Sequence, residues 1–143
     1  AIMACKLDES QNVKNLYEKL KQKQSDTIKL HKTVFRPWGY YTCMNSGEGY
    51  LTKTICVLPN HKLSIQSHNH RSEHWVVLEG RALVIKDGKE YNLYQGDSID
   101  IPVGIKHSLQ NPYEEELKII EVQKGDYISE DDIIRYEDCY GRI

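Results

Sequence analysis

The chain lacks any apolar run of about eighteen residues, so its sequence contains no helix able to cross a bilayer. It also lacks a basic excess. Its 19 Lys and Arg stand against 21 Asp and Glu, a formal charge of −2, which argues against a general binder of nucleic acid or anionic membrane. A local basic pocket for a small phosphorylated ligand is still compatible with that balance. The opening AIMACKLDES has neither the basic start nor the apolar core of a signal peptide, and a cytoplasmic location is expected. Cysteine is sparse: Cys5, Cys43, Cys56 and Cys139 form no C-x-x-C pair, and they read as reduced thiols, not as a disulfide framework. A phosphate-cradling loop is missing too. GEGYLT at Gly47 lacks the strand-to-helix context and reads as a hairpin loop.

What is present is ordinary folding material with one anomaly. The 143 residues, 39% hydrophobic and 28% charged, suit one soluble domain with a single core. Ser10 to Gln24 places Val13, Leu16, Tyr17 and Leu20 at helical spacing, with Ser10 as N-cap, and predicts an amphipathic helix. From Thr33 the pattern becomes short apolar runs broken by turn chemistry. KDGK is a type I′ hairpin signal between two alternating strands. Many short strands without intervening helices predict an antiparallel sandwich or barrel. The tail ISEDDIIRYEDCYGRI, opening with Ser129 and acids, suggests a short capped helix or turn against the barrel.

The anomaly lies in LSIQSHNHRSEHWVVLEG, residues 63–80, which holds three of the six histidines. Period-two alternation over a strand from Leu63 to His70 puts Gln66, His68 and His70 on one face, where a small barrel would be apolar. Burying unpaired imidazoles and an amide is costly, so residues that contradict the core pattern point to function. A returning strand from Glu73 brings a carboxylate beside them, while His74 points away.

The spacing extends the pattern. Asn60 is followed by five residues, Gln66-x-His68, four residues, Glu73, six residues and Gly80; Gly96 is followed by five residues, Pro102-x-Gly104, two residues, His107, three residues and Asn111. These blocks resemble the two cupin motifs, G-x5-H-x-H-x3-4-E-x6-G and G-x5-P-x-G-x2-H-x3-N. The second is matched throughout. The first departs at Asn60, a residue that tolerates a left-handed turn, and at Gln66, which replaces a histidine. RPWGYY at Arg36, the histidine-rich block, IPVGIKHSLQNP and EDDIIRYEDCYGRI together resemble the cupin domain of type II mannose-6-phosphate isomerases. That domain forms the C-terminal half of bifunctional mannose-1-phosphate guanylyltransferase/mannose-6-phosphate isomerases. The likeness runs from about Thr33 to the end. It implies an all-β, antiparallel double-stranded β-helix over 33–143, preceded in 1–32 by a connecting segment and helix from a guanylyltransferase domain absent from this chain.

The resemblance further implies one divalent metal on Gln66, His68, Glu73 and His107, zinc first, with cobalt, manganese or iron also suited to mixed nitrogen and oxygen ligands. The substrate implied is a small phosphorylated sugar, mannose 6-phosphate interconverting with fructose 6-phosphate through a cis-enediol. A metal acting as Lewis acid and a base of near-neutral pKa are what that reaction needs. His70 is the candidate base. Arg135, Lys62, Lys53 and Arg71 are the candidates for the phosphate, with Arg135 and Lys62 ranked above Arg71. Arg36, Trp38 and Gly39 also belong to the likeness, though a Pro-Trp-Gly turn at a barrel edge has a sufficient structural role. Two other readings stand beside this one: a different metal-dependent cupin enzyme such as a dioxygenase, and a non-catalytic sugar-binding or oligomerising module. A homodimer is expected, since cupins commonly pair through edge strands.

Overall fold

The computed structural model describes residues 33–141 together with Lys19. The expected amphipathic helix over Ser10 to Gln24 lies, but for Lys19, outside the described residues. Twelve strands and one 3-10 turn make up the rest: β1 Thr33–Arg36, β2 Gly39–Gly47, β3 Tyr50–Val57, β4 His61–Lys62, β5 Ile65–His68, β6 Arg71–Glu79, β7 Ala82–Lys86, β8 Lys89–Leu93, β9 Ser98–Ile101, β10 His107–Asn111, β11 Leu117–Gly125, the turn Glu130–Asp132, and β12 Ile133–Glu137. They form two antiparallel sheets. One runs β1-β2-β3-β11-β6-β9; the other runs β12-β5-β10-β7-β8, with β4 added on β10. This is the antiparallel double-stranded β-helix expected from the sequence. Among the described residues no helix is long and apolar enough to cross a membrane.

Local chemistry sets the turns. Asp87 and Gly88 both have positive φ, 50° and 74°, as a type I′ hairpin between β7 and β8 requires. Asn60 takes φ 61°, the left-handed turn that a glycine would fill. Gly47 to Tyr50 is the plain hairpin loop joining β2 to β3. At Gly39, with φ 144°, a Cβ would lie 2.1 Å from the Cys56 carbonyl oxygen, so only glycine lets β2 start beside β3 after the buried Trp38. The Pro-Trp-Gly turn is therefore structural.

Two sequence expectations need correction. The metal strand does not run to His70: β5 ends at His68, because the backbone N–H groups of Asn69 and His70 bend away to donate to the Asp132 carboxylate at 3.0 and 3.4 Å. The tail is chiefly strand. Ser129 makes no side-chain cap, and after one 3-10 turn the β-branched pair Ile133–Ile134 opens β12, which pairs antiparallel with β5.

The inner faces divide along the barrel. One half is apolar, built from residues such as Ile55, Val57, Trp75, Val77, Leu109 and Ile119. Asn111 ties this half together: its buried amide donates to the carbonyls of Val57 (2.9 Å) and Glu115 (2.8 Å), and its oxygen accepts from the Tyr113 N–H. Asn111→Ala takes this donor from the buried Val57 carbonyl and the part-buried Glu115 carbonyl, and is expected to lower unfolding stability by about 2–4 kcal/mol. Urea titration checks it; a cost under about 0.5 kcal/mol would show that water replaces the amide.

Candidate metal centre and its cavity

The other half of the interior is polar, and alternation along five strands makes it so. On β6 the inward residues are Arg71, Glu73, Trp75 and Val77; on β11 they are Leu117, Ile119, Glu121 and Gln123. Lys53 faces inward from β3 and is paired in register with Glu121, while Gln66 on β5 is paired with His107 on β10. The sheets thus bring His68, Glu73 and His107 together from three strands. Their ligand atoms all lie within 4.8 Å of one another, and all three side chains are buried.

The donor set fits a divalent cation. His107 Nδ1 lies 2.8 Å from the Ile105 carbonyl oxygen, which can only accept, so Nδ1 carries the proton and Nε2 presents a lone pair inward. Burial pushes the His107 pKa down and keeps the ring neutral, as ligation needs. His68 Nε2 stands 3.1 Å from Glu73 Oε1, and His107 Nε2 3.6 Å from Glu73 Oε2, yet neither nitrogen is aligned for a hydrogen bond. Both nitrogens of His68 and Nε2 of His107 are buried without a partner. Such orphaned nitrogens are costly, and a cation that takes the lone pair of one His68 nitrogen and of His107 Nε2 removes most of that cost. The backbone helps hold the trio, since the Gly104 N–H donates to the His68 carbonyl at 2.8 Å.

Glu73 is held from every side. It accepts from Arg71 Nε (3.1 Å), Trp75 Nε1 (3.1 Å) and Gln123 Nε2 (3.2 Å). Burial alone would push its carboxyl up; its close neighbours His68, His107 and Arg71 outweigh that, and the net shift is strongly downward. Arg71 is itself clamped, donating to the Ser129 carbonyl at 2.8 Å and lying 3.5 Å from Asp132. Gln66 contributes its amide differently: Oε1 accepts from the Ser64 hydroxyl at 3.1 Å, beside a cavity that Glu73 also walls.

That cavity opens against Glu73 and Gln66. Its cations are Arg36, Lys53, Arg71 and Arg135, and its other carboxyls are Glu121 and Glu130. Three of the four basic residues named from sequence, Lys53, Arg71 and Arg135, therefore line it. Lys62 does not. It sits on β4 opposite Gln110 and lines a separate cavity with Cys139, because Leu63 turns the chain inward one residue later. His70 does not line it either. With the strand ended at His68, its half-exposed ring stacks edge-on against Tyr127 and faces Asp126 at 3.6 Å. His74 points outward onto Asp100.

Sequence reasoning missed Glu121 and Gln123. Polar residues at inward positions of IIEVQ are the same contradiction that singled out Gln66 and His68, and would have revealed them. Burial, then the neighbouring Glu73 carboxylate, push the Glu121 carboxyl up to about 8 against the pull of Lys53. The folded state thus holds this proton more tightly than the unfolded chain, where the group titrates near 4.5. Its contribution to stability is full below that value and is lost as pH rises toward 8. Metal-free protein is expected to lose a few kcal/mol over that interval, at about 1.4 kcal/mol per unit of pKa difference. Glu121→Gln should flatten the slope and be the more stable at pH 8; denaturation curves at several pH values read both, and an unchanged slope would refute the assignment.

Comparison with known proteins agrees with this architecture. The family model described as mannose-6-phosphate isomerase C-terminal matches residues 23–138. Mannose-1-phosphate guanylyltransferase ManC of Salmonella typhimurium is 45% identical over 93% of this chain and 28% of its own length. Xanthan biosynthesis protein XanB of Xanthomonas campestris is 40% identical over 99% of the chain and 30% of its own. The chain thus spans less than a third of these relatives. Among solved structures, a Lactobacillus farciminis oxalate decarboxylase–formate complex superposes with a TM-score of 0.64 at 20% identity, covering 73% of this chain and 33% of that one, a likeness of fold. With 116 consecutive residues matched, and with the motif histidines and glutamate gathered at one buried centre, the chain belongs to the mannose-6-phosphate isomerase C-terminal family of cupin folds.

Proposed function

We propose that the chain is a metal-dependent aldose–ketose isomerase interconverting mannose 6-phosphate and fructose 6-phosphate, feeding GDP-mannose and polysaccharide synthesis. The observation that carries this reading is a buried His-Glu-His donor set whose glutamate also walls a cavity with four cationic side chains. A ligand suited to such a cavity offers neutral oxygens at one end and a multiply charged anion at the other, as a sugar phosphate does. A divalent cation, zinc first among those the donors suit, would be held by His68, Glu73 and His107 with Gln66 beside them, and would supply Lewis acidity toward the sugar oxygens. The chain's own residues do the rest. Arg71 and Gln123 fix the Glu73 carboxylate, Lys53 and Arg135 offer cations for the phosphate, and the buried walls keep bulk water from the reacting carbons. The migrating C2 proton needs a group that takes it and returns it to C1; Glu121 lines the cavity, whereas His70 would have to rotate inward.

Turnover of mannose 6-phosphate, measured with zinc, cobalt and manganese in turn and with a chelator, tests the proposal. Activity that the chelator abolishes is the expected result; silence with every metal, while one metal binds per chain, refutes it. That second outcome favours an oligomerising or sugar-binding module. Edge strand β1 carries Phe35, 75% exposed, in support of the expected homodimer; light scattering at micromolar concentration should give twice the chain mass.

A further inference from the structure

We infer that Arg36, Lys53 and Tyr41 form the subsite for a phosphoryl dianion, and that the chain's own Glu130 occupies it as a resident counter-anion which the ligand must displace. The inference deepens the isomerase reading by locating the phosphate end of the ligand, and rests on that reading for its biological ligand.

The geometry is that of an anion already bound. Glu130 Oε1 lies 3.3 Å from Lys53 Nζ and accepts from the Tyr41 hydroxyl at 3.4 Å; Oε2 lies 3.6 Å from an Arg36 terminal nitrogen. Two cations and a hydroxyl converging on a single carboxylate leave room for a second negative charge. Burial pushes Glu130 up, but the Lys53 charge and contact, then Arg36, outweigh it and keep the group ionised. On the same cavity wall the buried Nε of Arg135 has no partner, a second donor awaiting an acceptor. Lys53 is only 7% exposed, so it cannot simply turn to solvent for a counter-ion. As it stands the cavity encloses about 50 Å³, room for a few waters and less than a hexose phosphate needs.

Displacement does not require the tail to unfold. The chain on both sides of Glu130 is pinned, at the Ser129 carbonyl by Arg71 and at the Asp132 carboxylate by the Asn69 and His70 N–H groups. The Glu130 side chain is 48% exposed and can rotate outward on its own. That rotation opens the mouth and vacates both cations at once. The intramolecular carboxylate thereby sets the affinity threshold: a monoanion gains little by replacing it, whereas a dianion brings the extra charge that makes the exchange favourable.

The test is binding of inorganic phosphate, followed by calorimetry on the whole chain at matched metal content, for wild type, Glu130→Gln, Arg36→Gln and the double variant. Glu130→Gln should bind phosphate about tenfold more tightly, an advantage that shrinks as salt rises. Arg36→Gln should weaken binding and erase most of that gain when combined. Side-chain exposures of 32% for Arg36 and 48% for Glu130 make unfolding by these changes unexpected, and thermal melts verify it. Equal or weaker phosphate binding by folded Glu130→Gln overturns the inference, whether or not the protein turns over sugar. Tighter binding in the absence of any turnover would instead sustain the subsite and refute the isomerase reading. Should turnover be present, the same variant lowers KM for mannose 6-phosphate.

Discussion

Glu73→Ala should cost the metal-free protein about 3–5 kcal/mol of stability, the largest effect of any single substitution in the centre. The carboxylate is buried and accepts from Arg71, Trp75 and Gln123, so its removal strands three donors, one of them a buried guanidinium. Asp132, 3.5 Å from Arg71, compensates only part of that charge. Glu73→Gln keeps the shape but turns two of the four lone-pair sites into donors that face Arg71 or Gln123, and about half the loss is expected to persist. Because its pKa in the folded state is depressed, the glutamate's contribution is present above its unfolded value near 4.5 and is lost as pH falls below that. The gap between wild type and Glu73→Gln should therefore narrow in acid. Chemical denaturation at neutral and acidic pH reads both effects; a neutral-pH difference under about 0.5 kcal/mol would mean that Arg71 finds another partner.

His68→Leu should behave in the opposite way. Metal affinity is expected to fall at least about a hundredfold and the proposed isomerase turnover about a thousandfold, while the metal-free fold is no less stable than wild type. The reason is that both ring nitrogens of His68 are buried without a hydrogen bond, at 2% exposure, so leucine exchanges an unsatisfied polar ring for apolar volume. A histidine kept for packing and hydrogen bonding would give the reverse: destabilisation with metal binding intact. Equilibrium dialysis of metal alongside denaturation of the stripped protein separates the two cases in one preparation. Stability and function thus part company within a few ångströms, Glu73 serving both and His68 only the second.

The legible parts of the fold were those set by neighbours in sequence. Asp87-Gly88 declares its own turn, Asn60 its own left-handed bend, and motif spacing gathers His68, Glu73 and His107 because strand lengths and turns fix where each side chain emerges. What escaped depends on partners far away. The strand that seemed to continue to His70 is stopped by Asp132, whose carboxylate arrives 62 residues later to claim its backbone. Arg71, ranked low among the phosphate candidates, is drawn to Glu73 two residues on because both face inward from β6. Glu121 and Lys53 meet only through the β3–β11 register, which neither strand announces alone. Lys62 and Leu63 differ by a single step of alternation, and an error of one residue there moves a charge to another cavity.

The Asp132 clamp also has a consequence for the order in which the molecule is made. All three donor residues have left the ribosome once residue 107 has emerged, whereas the carboxylate that bends the chain after His68, and the β12 strand that covers β5, come only with residues 132–137. At roughly 5–20 residues per second the nascent centre is left unroofed for on the order of seconds. During that interval Gln66 and His68 sit on a bare strand edge, open to ions and to other chains. The tail can close over β5 only after the donors are in place along the chain, and a metal captured before that would then lie behind β12.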